Sequence, residues 1–368
     1  MKAARHSPIP VVCTFLCVLL LCCSVATRPA SGGEGEPQTL TVRVSKSIER
    51  GLDFIQKQGP PRLTSGSKAP VAEGQHAALA AYANAVHGDK QKSRKAVRGL
   101  LKHWKLLQSD LHSTALALLS AAEVGLTKDS RVARLRRALV DGQSTTGFWG
   151  YSLATDDRGP GNLETTHWAV WALCAGETLG KKEVACLKRA LAALRESQSK
   201  AGSWGYDVGV LPGESSESYL QGVFLGLGCM DQIMSAFKRA EVTLEKGDLK
   251  AHSRAVNAAS VQVAGVVRWL RSASKTSPFE FTLHSLLSLS MTCRSAGVAD
   301  LLKVDWYGPL ATWLVARQAA NGTWPAFDEK EELGSTSGPM IRTCLALLAL
   351  RGAPVTRGRK PAVTGEGR

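Results

Sequence analysis

A chain of 368 residues, 44% of them hydrophobic, can hold one large domain or two ordinary ones and can bury a sizeable core. It carries 46 Lys and Arg against 31 Asp and Glu, a formal net charge of +15, which favours anionic partners such as an acidic polysaccharide or an anionic lipid. The basic residues are dispersed and no nucleic-acid-binding motif occurs, so a nucleic-acid partner is not expected.

At the N-terminus Lys2, Arg5 and His6 precede an apolar run from Val11 to Leu21. Ser24-Val25-Ala26 then sets small residues at the cleavage-defining positions. Residues 1–26 read as a secretory signal peptide. The mature chain is therefore expected to be secreted, or periplasmic in the cell envelope. The apolar run is shorter than the roughly 20 residues of a membrane span, so no stable span is expected after cleavage; an uncleaved signal anchor is the alternative. Cleavage leaves 44 basic and 31 acidic residues, a net charge of +13. Residues 27–42, rich in Gly, Pro and Glu over their first part, form a flexible lead-in. Five cysteines remain (Cys174, Cys186, Cys229, Cys293 and Cys344), an odd number without CxxC spacing. Neither a zinc site nor a disulfide framework is indicated, and no metal or cofactor is expected.

Helical periodicity then dominates, and strand alternation is absent. Ser47 to Gln58 is amphipathic and leads to an Ala-rich apolar segment, Glu73 to Val86. Ser93 to Gln108 leads to 111–125, Ser130 to Gln143 to 163–177, and Lys181 to Gln198 to 218–230. A segment of mixed charge at 231–250 interrupts the pattern. Ala251 to Ser274 then leads to 279–293, and Leu301 to Gln318 to 340–350. In each of these six pairs a helix with one charged face precedes a helix that is almost wholly apolar. The first kind must line the outside and the second must be buried. The expected fold is all-α, an (α/α)6 toroid of six helical hairpins in two concentric rings over residues 43–352. An open solenoid is the rival, but it would leave one concave face wet. Residues 353–368 lose the periodicity and are expected to be disordered.

One signature recurs at the ends of outer helices: Gln143, Gly147 and Trp149; Gln198, Gly202 and Trp204; Gln318, Gly322 and Trp324. Each reads Gln-x-x-x-Gly-x-Trp, and Gln56 and Gln108 keep the Gln alone. The Gln amide can bridge two helices, the Gly permits a turn that a side chain would penalise, and the Trp offers a large plate with one N–H. None of these groups is an acid, a base or a nucleophile. The signature is scaffolding.

Gln-x-x-x-Gly-x-Trp resembles the QW repeat of squalene and hopene cyclases. The architecture it implies is similar to the terpenoid cyclase and protein prenyltransferase toroid, as found in exported bacterial prenyltransferase and squalene-oxidase repeat proteins. The resemblance covers roughly residues 43–352. The cyclases protonate an alkene from an Asp-x-Asp-Asp segment. Aligned on Trp149 with one residue inserted, Asn162-Leu163-Glu164-Thr165 takes that place, and only Glu164 keeps a carboxyl. The Asp-x-Cys zinc ligands of prenyltransferases are missing, since Trp306 and Tyr307 follow Asp305. Loop acids at Asp156, Asp157, Asp328 and Glu329 are loose candidates for carbohydrate chemistry. Glu164 is thus the single candidate catalytic residue.

The starts of the inner helices also share polar residues at one register: His76, His112, His167, Gln221, His284 and Arg342. In a toroid they would ring one mouth, where six helix N-termini favour an anion. The expected role is binding or protein interaction without catalysis. Its ligand would be an acidic polysaccharide, an anionic lipid or another protein. A divergent cyclase-like or polysaccharide-acting enzyme is the alternative.

Overall fold

The computed structural model describes residues 39–59, 70–154, 159–176, 178–207, 217–272, 282–295, 304–326 and 338–351. The expected signal peptide 1–26, the expected tail 353–368 and the loop acids Asp156, Asp157, Asp328 and Glu329 lie outside them, as does the expected lead-in up to Gln38, whereas α1 begins at Leu40, within the stretch expected to be flexible. Thirteen helices occur among the described residues, which contain isolated β-bridges but no strand. None of these helices is long and apolar enough to cross a membrane.

Polar-faced helices form the outer set: α1 (Leu40–Gln58), α3 (Lys90–Leu101) with the short α4 (Trp104–Leu107), α6 (Ser130–Asp141), α8 (Lys181–Ser197), α10 (Lys246–Arg271) and α12 (Tyr307–Arg317). The apolar set is α2 (Pro70–His87), α5 (Leu111–Glu123), α7 (Leu163–Cys174), α9 (Glu217–Arg239), α11 (Leu283–Arg294) and α13 (Pro339–Ala349). Within the apolar set α2 packs on α5, α5 on α7, α7 on α9, α9 on α11, α11 on α13, and α13 returns to α2. The inner ring is closed, and the solenoid is excluded. Nearly every residue of α5 from Ser113 to Ala121 is buried, as is α7 from Thr165 to Val170. A helix can lose water on all sides only inside a second layer.

The recurring signature builds the outer wall. Gln143 Nε2 donates to the Gly147 carbonyl at 2.8 Å and to the Cys186 carbonyl of α8 at 3.0 Å. Gln198 Nε2 donates in the same way to Gly202, and to Ala251 of α10 at 3.0 Å. Gln318 Nε2 reaches Gly322 at 3.0 Å and Ser47 of α1 at 2.9 Å. Each Gln therefore fastens its own outer helix to the next, and the last one fastens α12 to α1. The three glycines take φ near +90° (88°, 93° and 88°). A Cβ there would strike the carbonyl oxygens of Arg189, Arg254 and Arg50 on the neighbouring helices. Trp149, Trp204 and Trp324 are 0%, 1% and 0% exposed. Each indole N–H returns to a carbonyl ten residues earlier, at Leu139 (2.7 Å), Leu194 (2.7 Å) and Leu314 (2.9 Å).

Two segments differ from the sequence pattern. The mixed-charge stretch 231–250 is not an insertion: α9 runs on to Arg239 and α10 starts at Lys246. Ile233, Ala236 and Phe237 continue the buried stripe, and Asp231 is accommodated by His252 at 3.4 Å. The second outer helix is broken after Leu101. There the Lys102 and His103 N–H groups bond the Gly99 and Leu100 carbonyls, a tighter turn from which α4 restarts. The stretch 275–281, which replaces the signature in the fifth pair, lies outside the described residues.

Candidate functional site

N-terminal portions of all six inner helices line a single cavity of about 650 Å³ at one end of the barrel. Three caps fix its geometry. Asp110 accepts from the Ser113 N–H at 2.8 Å, Asn162 from Thr165 at 2.9 Å, and Thr282 from Ser285 at 3.2 Å. Each cap satisfies a helix-start N–H that would otherwise lack a partner. In all three helices the residue two beyond the cap faces the cavity: His112, Glu164 and His284. Gln75 and His76 of α2 and Gln221 of α9 complete the polar rim, over a floor that includes Leu79, Leu116, Trp168 and Leu345.

Tyr151 and Tyr206 also enter this cavity. They stand two residues after Trp149 and Trp204, because both signatures continue as Gly-Tyr. Their main chains seat the inner helices: the Tyr151 carbonyl accepts the Leu111 N–H and the Tyr206 carbonyl accepts that of Leu163, both at 2.9 Å. Their phenols form a relay. The oxygens of Tyr151 and Tyr206 are 2.6 Å apart, and Tyr206 donates to Glu164 Oε2 at 2.7 Å. With the Tyr206 proton directed at Glu164, Tyr151 is the donor to Tyr206. His112 Nε2 lies 3.6 Å from the other carboxylate oxygen.

These contacts decide the charge states. Burial by itself would push the Glu164 carboxyl up. The His112 contact and charge, the His284 charge and the Tyr206 hydrogen bond outweigh it, and the carboxyl lies well below the usual carboxylate range. Burial would lower His112, but Glu164 and Asp110 reverse that and raise it. Both phenols are raised, first by burial, with the Glu164 charge adding to it. His76 is lowered by burial, against the charge of Glu73. The centre is therefore an ionised carboxylate at neutral pH that accepts from a neutral phenol, beside an imidazole whose protonated form the carboxylate favours.

Two residues of the expected ring are placed elsewhere. His167 lies one turn below Glu164 on α7 and is 1% exposed. It borders a hollow of about 10 Å³ under the mouth, and burial pushes its ring down to about 3. Arg342 gives its place on α13 to Ile341 and donates from Nε to the Trp324 carbonyl at 3.1 Å. The register of α13 is thus one residue off the expected one, and Arg342 serves the wall. His76, His112, Gln221 and His284 do share the cavity. The five cysteines are buried and unbridged.

No protein-family model and no curated protein sequence matches the chain. Solved structures do. A variant of the type II terpene cyclase MstE from Scytonema, bound to geranylgeranyl dihydroxybenzoate, aligns with a TM-score of 0.54 at 14% identity over 85% of this chain and 98% of that one. The chain has the α/α-toroid fold of the terpenoid cyclases. An inactive variant of an α-1,6-mannanase from Salegentibacter, in complex with α-1,6-mannotriose, aligns with a TM-score of 0.55 at 12% identity, covering 84% of this chain and 100% of that one. A protein from Actinoplanes aligns at 0.51 and 14% identity, over 84% and 98% of the two chains. Likeness at this level of identity carries the fold alone, and the same toroid serves an isoprenoid cyclase and a glycan hydrolase.

Proposed function

We propose that the barrel mouth is a binding site for a hydroxyl-rich ligand of the carbohydrate class and is not an alkene-protonating centre. The observation that carries this is the state of Glu164. Alkene protonation needs a carboxylic acid kept neutral. Glu164 is instead held as a carboxylate by His112 at 3.6 Å and Tyr206 at 2.7 Å. A carboxylate that shares its cavity with Gln75, Gln221, Tyr151 and three histidines offers acceptors and donors together, and Trp168 supplies an apolar plate beside them. That mixture suits a ring bearing several hydroxyls. It suits an anion less well, because the carboxylate is central and Arg342 is turned to the wall.

Calorimetric titration with neutral manno-oligosaccharides, acidic oligosaccharides and anionic lipids tests the reading. The neutral sugars should bind, and Tyr206→Phe should weaken them about five- to tenfold, as expected for one lost hydrogen bond. Squalene turnover that vanishes in Glu164→Gln would overturn the proposal, as would binding confined to the acidic ligands.

A further inference from the structure

Some seams of the outer wall lack the full signature, among them the one that α1 borders. Between α1 and α3 the signature is reduced to Gln56, and the first tryptophan of the chain is Trp104. No indole from the first hairpin can fill this seam as Trp149, Trp204 and Trp324 fill theirs. A groove of about 780 Å³ lies there, between α1, α2 and α3. Its floor is apolar and built of small side chains, with Ala77 and Ala80 buried, Ala81 half-buried and Ile55 closing one side. Two polar wall residues turn their donors inward: Asn84 Nδ2 donates to the Ala80 carbonyl at 2.9 Å, and Ser93 to the Asn84 carbonyl at 2.8 Å.

The rim is cationic. Lys92, Lys95 and Lys102 line it and are exposed, and none takes part in an ion pair among the described residues. From Lys90 to Ser109 the chain holds seven Lys or Arg and no Asp or Glu. Asp89, the one acid at the rim, is engaged in accepting the Lys92 N–H at 2.8 Å as the cap of α3. An apolar slot of this size under an unopposed row of lysines complements a tail with an anionic head.

We propose that the α1/α3 groove takes the acyl chain of a fatty-acid-type amphiphile, its tail on the alanine floor and its carboxylate at Lys92, Lys95 and Lys102. The probe is palmitate, titrated below its micellar concentration into the full chain, with cetyl alcohol as the uncharged comparison. Palmitate should bind, and cetyl alcohol should bind about tenfold more weakly for want of the charge-assisted contacts. The double variant Lys92→Glu/Lys95→Glu changes only exposed side chains and should weaken palmitate about tenfold or more while leaving cetyl alcohol unchanged. Ala81→Phe should fill the slot and abolish both, with a thermal melt confirming that it folds. Failure of wild type to bind palmitate overturns the proposal. Equal palmitate affinity in wild type and the lysine double variant does so as well, whatever the fate of Ala81→Phe.

Discussion

The wall of the toroid and its mouth are built by the same short stretches, yet their physics is opposite. In "QSTTGFWGY" and "QSKAGSWGY" the Gln, Gly and Trp make the wall, and the Tyr makes the mouth. In the wall the Gln amides and Trp indoles donate to backbone carbonyls, and neither these donors nor their acceptors titrate. Mouth contacts join ionisable groups that keep some water, with Glu164 and His112 at 18% and 16% side-chain exposure. One segment therefore couples a rigid frame to an adjustable centre. Wall substitutions should cost stability at every pH, whereas mouth substitutions should cost little and change charge.

The sharpest way to break that contrast is to remove a plate. Trp149→Ala, Trp204→Ala and Trp324→Ala should each cost about 3–5 kcal/mol, with a penalty that stays level between pH 5 and 8. Denaturant melts with no loss in all three would dissolve the wall as described. Below the mouth, the buried His167 ring is held neutral down to about 3, against an ordinary value of about 6.5. A lowered folded value means that the unfolded chain binds the proton first. Stability is complete above about pH 6.5 and falls by roughly 1.4 kcal/mol per pH unit below it, until pH reaches the folded value. His87, held at about 4 by burial, adds a second slope of the same sign. His167→Gln should flatten the loss between pH 6.5 and 5, measured by melts across that range; an unchanged slope would remove the ring from this role. The smallest effect is expected in the mouth. His112→Gln and Tyr206→Phe should each cost about 0.5–1.5 kcal/mol and raise the Glu164 carboxyl, His112→Gln by more. Carbon NMR of the carboxyl reads this directly, and a larger rise in Tyr206→Phe would reverse the assigned order of causes.

The sequence pattern was informative where burial is all or none. A helix apolar on every side has one physical explanation, so six of them declared the double ring. Depth within the barrel was harder to read. Glu164 and His167 are three residues apart and share a helix face, so register alone could not tell the mouth from the floor. Ile341 and Arg342 differ by one residue, a rotation of about 100°, which was enough to turn the guanidinium onto Trp324. Tyr151 and Tyr206 carried a signal that went unused: both signatures end in Gly-Tyr at a spacing of 55 residues. The stretch 231–250 looked foreign because charge masked the buried stripe of Ile233, Ala236 and Phe237.

Gln318 reaches Ser47 across 271 residues of chain, and that bond fixes an integer. A linear array of hairpins can gain or lose a unit and still pair each neighbour with the next. A hoop whose last member must clasp its first has a set circumference, and one hairpin more or fewer would leave α12 out of reach of α1. Growth must then occur within a hairpin, by lengthening its arms, as in α9 and α10 with 23 and 26 residues. Duplicating a single hairpin in this chain should therefore yield an open, unstable product, while a longer arm should be accommodated.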